Sequence, residues 1–317
     1  MYFPYLRGRQ YELLALRELV SNNLLGDLVI PIVEPVKLSS TLVNMMDEYI
    51  EAKQPISIIR NPVVGNFVSD FKGAIELSRE DGYKKRFSQQ YKNSVIIKSI
   101  IMKNDAGQFI NFWEQEGINK SDLLVVNVNR DNLEMYGNVF KTVDPRYIVI
   151  PDESTFRRKM YKNKILIDDR FDKKNRNADY QHSEDDFFSD DHLYYKEDGF
   201  IGFSDYSVVG NEYIESGFAP YAVAIHIVYF ADDNTLRIRH FVSDSNDDIS
   251  NPALKFYEAV SKLSKWYYSN SHSVEMTLGL KTFLNHFEQR SYPGLGTVKK
   301  LSIMHHLELM GKYLSGA

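Results

Sequence analysis

The sequence predicts an α/β protein, a single (β/α)₈ TIM-barrel-like domain with an inserted β-hairpin and a C-terminal helical extension. Three observations carry this. Eight short apolar runs, nearly all closing on a polar or charged residue, fill the first two-thirds of the chain, and most are followed by a helix-like stretch. The runs are rich in Ile and Val with little in–out alternation, as expected of strands covered on both faces. No Gly-x-Gly-x-x-Gly follows the first run, and the count reaches eight. A doubly wound open sheet would show the same alternation, but the last observation favours the closed barrel.

The eight runs are Tyr2–Arg7, Leu28–Glu34, Ile56–Arg60, Val95–Ile101, Leu123–Asn127, Tyr147–Asp152, Ile165–Arg170 and Phe200–Asp205. Between the first two, Leu13, Leu16, Leu19 and Val20 recur at helical spacing until Gly26 stops them. The second helix opens on Ser39-Ser40-Thr41, good N-cap residues, and continues through Val43, Met46 and Ile50. A long charged helix is expected from Ser69 to about Tyr91, with shorter ones over Phe109–Gln115, Asn132–Phe140 and Thr155–Tyr161. After the seventh run the pattern breaks. Asp172–Asp198 is acidic and poor in aliphatics, and reads as a solvated loop partly docked through its aromatic residues.

Beyond the eighth run, Ala222–Phe230 and Leu236–Val242 flank a polar turn and read as a hairpin. Pairing Phe230 with Leu236 sets His226 directly opposite His240, either as a metal or proton-relay pair or as a packed hydrogen-bonded one. Asn251-Pro252 starts a helix through Phe256, Val260, Leu263 and Tyr267. The final helix, Val298–Leu314, aligns Leu301, Met304, Leu307, Met310 and Leu314 on one stripe. One domain therefore spans 1–317, with barrel strands in 1–210, the hairpin in 221–244 and helices in 251–317.

Composition narrows function. The 317 residues carry 43% hydrophobic side chains, including 21 Tyr and 19 Phe, enough for a large core. A net charge of −5 argues against the broad basic footprint of a general nucleic-acid binder and leaves room for a local basic groove. The absence of Cys excludes disulfides, thiolate metal sites and a Cys nucleophile. Met1–Gln10 lacks the features of a signal peptide, and no apolar stretch approaches the roughly 20 residues of a bilayer span. A cytoplasmic protein without membrane contact is the expectation.

In a barrel the strand ends converge on one mouth. They supply Arg7, Glu34, Arg60 with Asn61, Lys98, Asn127, Asp152, Asp168-Asp169-Arg170, and Asp205 with Ser207. The expected division of labour has Asp205, Asp168 and Glu34 as catalytic acids and Asp152, Asp168 and Asp205 as oxygen ligands for Mg²⁺ or Mn²⁺. Arg7, Arg60 and Arg170 would clamp a phosphate, with Asn61, Lys98 and Ser207 as further ligand donors. Strand alternation allows only one of Asp168 and Asp169 to face the axis. Such a set suits metal-assisted phosphoester hydrolysis of a nucleotide or nucleic-acid end. The competing reading is a network of structural ion pairs. Asp205, beside the first strand, is expected to pair with Arg7.

The opening Tyr2-Phe3-Pro4-Tyr5-Leu6-Arg7-Gly8-Arg9-Gln10, with Glu12 and Ala15-Leu16, resembles the phage-type beta-protein family and its bacterial relatives. So do Ile30-Pro31-Ile32-Val33-Glu34-Pro35 and Phe203-Ser204-Asp205-Tyr206-Ser207, and the resemblance reaches to about Asp244. It implies a barrel-type fold, a place in phage conflict and antiviral defence, and a protein partner encoded nearby. It implies no activity. The residues it carries over are Arg7, Arg9, Glu12, Glu34, Asp205 and Ser207. The rival function is a non-catalytic scaffold that meets its partner through the acidic loop, the hairpin and the final helix.

Overall fold

The computed structural model describes residues 1–74, 78–214 and 220–316. Its barrel strands are β1 (Tyr5–Leu6), β2 (Ile32–Val33), β3 (Ile56–Ile59), β4 (Ile96–Ile101), β5 (Leu124–Val126), β6 (Tyr147–Ile150) and β7 (Lys164–Asp168). The eighth is β9 (Gly202–Asp205), because β8 (Asp185–Ser189) lies in the connection before it. All eight barrel strands pair in parallel, in chain order. The ends meet where Tyr2 bridges both Val29 and Phe203, and the Phe3 N–H donates to the Phe203 carbonyl at 2.8 Å. The α/β barrel is therefore as expected from the eight runs.

The helices between strands are α1 (Gln10–Ser21), α2 (Ser40–Ala52), α3 (Phe67–Gly73), α4 (Arg79–Gln90), α5 (Ala106–Gln115), α6 (Leu133–Val139) and the single turns α7 (Ser154–Arg157) and α8 (Asp191–Tyr194). Ser39 caps α2 by accepting the Leu42 N–H at 3.3 Å, as its position suggested. The expected charged helix is two: α4 restarts at its own cap, where Ser78 accepts the Asp81 N–H. Part of the original span, 75–77, lies outside the described residues.

Strand alternation divides the apolar side chains into two cores. Phe3, Tyr5, Ile32, Ile59, Ile97 and Val149 fill the barrel interior, while Leu6, Val33, Ile58, Ile100 and Ile150 face the helices. The same parity decides where each strand-end residue goes.

The acidic segment is not a solvated loop. Its β8 pairs antiparallel with β11 (Leu236–Val242), which pairs with β10 (Ala224–Phe230), giving a sheet in the order β10-β11-β8. Opposite charge explains the docking: Asp185 takes the Arg237 guanidinium at 2.6 Å, and Arg239 stands 3.4 Å from the same carboxylate. Cross-strand pairs of this kind are invisible without the register. Tyr229 adds its hydroxyl to Asp185 at 2.6 Å.

Three helices complete the chain: α9 (Pro252–Asn270), α10 (Leu278–Glu288) and α11 (Leu295–Ser315). The last differs from the expected one-sided stripe, since every residue from Leu301 to Gly311 is buried. It is covered all round because it packs on α1, on α10 and on β10. At Gly279 a methyl group would come within 2.4 Å of the Leu301 carbonyl oxygen, so α10 and α11 meet backbone to backbone. His305 rivets this junction: its Nε2–H donates to the Val228 carbonyl at 2.6 Å and its Nδ1 accepts the Thr277 hydroxyl at 2.7 Å. Among the described residues no helix is long and apolar enough to cross a membrane.

Candidate functional site

The barrel mouth does not gather the predicted set. Arg7, Glu34 and Asn61 share the parity of the interior residues and point inward; Arg60, Lys98, Asp152, Asp168, Arg170 and Asp205 have the opposite parity. Lys98 is further misplaced, since its ammonium donates to the Asn93 carbonyl at 2.9 Å, at the start of β4 and the end remote from the mouth. Arg60 lies over the Phe71 ring at 4.1 Å and near Phe67 and Phe109, in an aromatic pocket whose burial lowers its pKa.

The three acids named as metal ligands go three ways. Asp152 pairs with Arg157 on the surface at 2.8 Å. Asp168 is 53% exposed beside Arg170, whose guanidinium is held by Asp191 through two hydrogen bonds. Asp205 turns outward into the layer beneath α11. Its Oδ1 accepts both the Tyr2 hydroxyl and the Ser207 N–H at 2.7 Å, so Tyr2 takes the place expected for Arg7. Burial raises the Asp205 pKa to about 6, against its two donors. Ser207 has φ +51°, is 1% exposed and meets His306 Nδ1 at 3.0 Å, so it is no ligand donor at the surface. Among the described residues no group of three His, Asp or Glu side chains stands ready to hold a metal ion.

Those residues that do face the mouth largely pair with one another, with the buried Arg7 Nε–H left without an acceptor among the described residues. Glu34, fully buried, accepts the Tyr5 hydroxyl at 2.8 Å and the Val63 N–H at 2.7 Å and pairs with Arg7. Arg7 in turn donates to the Asn211 carbonyl at 2.7 Å and lies between the Tyr5 and Tyr206 rings. Asn61 clips β3 to β4 by bonding both polar groups of the Ile101 backbone. Asp169, the member of the Asp168-Asp169 pair that turns inward, accepts the Asn211 N–H at 2.9 Å.

Asn127, at the end of β5, is fully buried and neither polar atom of its side chain has a partner among the described residues. A cleft of about 690 Å³ opens between the rims of β1, β2, β7 and β9 and the start of α11, roofed by the three-stranded sheet. Its charged lining among the described residues is Arg9, Lys173, Lys174 and Lys299 against Glu12. These come from segments far apart in sequence: the N-cap and first turn of α1, the connection after β7, and the fifth residue of α11. Glu12 is 1% exposed; its Oε2 accepts the Arg9 N–H while Oε1, 3.7 Å from the Arg9 guanidinium, has no hydrogen-bond donor among the described residues. Burial raises its pKa, with Arg9 opposing.

Lys299 forms no ion pair among the described residues. Lys299 is an exposed residue; the protein on its cleft side, with Arg9 and Lys173, lowers its pKa, and Glu12 counters this. Lys173 and Lys174 meet only exposed carboxylates, Glu212 and Asp172. Two helix N-termini, of α1 and α11, open on the same space and add partial positive charge. Gly296, in the first turn of α11, lies flat against the Tyr11 ring, and a methyl group there would overlap the ring at 2.0 Å. This contact joins the two helix starts.

His226 lines the cleft, and the hairpin register is the expected one, with His226 opposite His240. The sequence drew attention to this pair and to Arg9 and Glu12, but not to Lys173, Lys174 or Lys299. Nothing local marks them: each is one of many surface-type lysines until the fold brings them together. Comparison with family models, with curated proteins and with solved structures finds no match.

Proposed function

We propose that this chain binds a phosphate-bearing ligand, a nucleotide or a nucleic-acid end, in the cleft between the barrel rim and the added sheet. The observation that carries the reading is the lining itself: among the described residues, Arg9, Lys173, Lys174 and Lys299, from three separate segments, stand around the buried Glu12, and Lys299 forms no ion pair. Lys173 and Lys174 reach only the exposed Glu212 and Asp172, so an entering anion would compete with weak, solvent-screened pairs. The cleft has the size of a small-molecule site, and Tyr11 and Tyr213 give it aromatic surface for a base. A divalent ion would enter on the ligand's own phosphates, the usual habit of Mg²⁺. The resemblance at Tyr2–Gln10 and Phe203–Ser207 supports a role in phage conflict beside a nearby-encoded partner.

Thermal unfolding in the presence of a nucleotide panel, with and without Mg²⁺ or Mn²⁺, tests this. A ligand at 100 times its Kd adds about 2.7 kcal/mol, and Lys173→Met with Lys299→Met should erase the shift. No shift with any nucleotide, or a shift unchanged in the double variant, contradicts the proposal. For the rival scaffold reading, α11 is unsuitable because it is buried; what supports it is β8, where Phe187 stands 52% exposed.

A further inference from the structure

We infer that Asp186, His240 and His226 form a proton relay whose open end, Nε2 of His226, is the general base for hydrolysis of a phosphoester held in the cleft. This rests on the anion reading above and deepens it by naming a reaction.

The argument is one of hydrogen positions. His226 on β10 and His240 on β11 face each other with their Nδ1 atoms 2.7 Å apart. Two ring nitrogens so close need one proton between them, one donating and one accepting. The far nitrogen of His240, Nε2, lies 3.5 Å from Asp186 Oδ2 on β8, and that oxygen has no hydrogen-bond donor among the described residues. At 3.5 Å the carboxylate acts on His240 as a nearby negative charge, which favours the tautomer with the proton on Nε2 and Nδ1 bare. The bare Nδ1 must then accept from His226 Nδ1–H. That assignment leaves His226 Nε2 with a free lone pair. His226 lines the cleft, and this nitrogen has no partner among the described residues. Tyr180 at 4.7 Å and Phe171 at 5.1 Å fix the ring. Burial, His240 and Lys299 all lower the His226 pKa, which keeps the ring neutral in the resting protein.

The chemistry balances without a redox partner. A water beside the bound ester gives a proton to His226 Nε2 as its oxygen bonds to phosphorus. The phosphorus–oxygen ester bond breaks, and the departing oxygen keeps the bonding pair and takes a proton from the Lys299 ammonium. Arg9 and Lys173 hold the charge on the phosphoryl oxygens. The proton on His226 returns to Lys299 through solvent, so one water is consumed and a phosphate and an alcohol are released. His240 and Asp186 are positioning residues that set the tautomer and steady the imidazolium.

The test follows nitrophenolate release in excess EDTA from bis(p-nitrophenyl) phosphate and, separately, from p-nitrophenyl phosphate. Turnover of either supports the relay and tells diester from monoester. His226→Gln should lower kcat about 100-fold or more, and added imidazole should restore part of the activity of His226→Ala. Asp186→Asn should lower kcat about tenfold or more with KM unchanged; it sits at the exposed end of the relay and decides the matter if the histidine variants fail to fold. Wild-type turnover in His226→Gln or Asp186→Asn overturns the relay. So does a protein that binds pyrophosphate in the cleft yet cleaves neither ester, and in that case the anion reading stands. Failure to bind pyrophosphate or either ester overturns both.

Discussion

The barrel mouth and the neighbouring cleft are built from the same residue types and behave in opposite ways. At the mouth, Glu34 has three donors, and Arg7 a carboxylate, a carbonyl and two aromatic rings, with only its Nε–H left without an acceptor among the described residues. In the cleft, among the described residues, Lys299 forms no ion pair and Glu12 leaves one oxygen without a donor. A closed polar network stabilises; an open one recognises. Convergence of charge at strand ends is a property of the fold, whereas polar valence left over after folding is a property of a site.

That contrast breaks if the two regions respond alike to loss of a cation. Arg7→Met leaves Glu34 buried without its cation and should destabilise by about 3–5 kcal/mol, read from the urea midpoint. Lys299→Met removes no ion pair and should change stability by under about 1 kcal/mol while weakening anion binding. Equal stability losses would erase the distinction.

Asp205 sharpens it from the side of a buried acid inside a satisfied network. Its folded pKa of about 6 lies above the ordinary 3.8, so the folded state binds the proton more tightly. The resulting stability is fully present below about pH 4 and is lost as pH rises through about 6, on the order of 3 kcal/mol in all. Asp205→Asn keeps an oxygen for Tyr2 and Ser207 without the charge. It should match or exceed wild-type stability at pH 8, with any advantage gone at pH 4. An Asn variant clearly weaker than wild type at pH 8 would mean that the ionised acid is required.

The histidines of α11 act in the other direction. His305 and His306 are fully buried, and burial lowers their pKa values to about 4 and about 3. Their neutral forms stabilise the fold above pH 6.5, and that stability is lost as pH falls toward these values. At pH 5 each should have cost about 2 kcal/mol. Calorimetric Tm values at pH 7.5 and 5.0 should fall accordingly, and His305→Gln should shallow the fall. A Tm flat across this range would contradict the buried, neutral assignment.

Much of the barrel was legible because parallel strands covered on both faces write themselves as apolar runs, and Tyr2–Arg7 through Phe200–Asp205 are all in place. The His226–His240 register was also readable, since one turn fixes every pair of a hairpin. The site was less so. Parity within a strand end is lost by a single residue, which put Arg60, Asp168 and Asp205 on the wrong side of the sheet. β8 was hidden because its acids are neutralised by Arg237 and Arg239, some 50 residues later. Lys299 joins Arg9 only through the packing of α11 on α1.

The most direct measurement is the position of an anion in a crystal of the protein soaked in tungstate, located by its anomalous signal. The account predicts a peak in the cleft, within reach of Arg9, Lys173 and Lys299. A peak on the barrel axis beside Arg7 and Glu34, with the cleft empty, would contradict it.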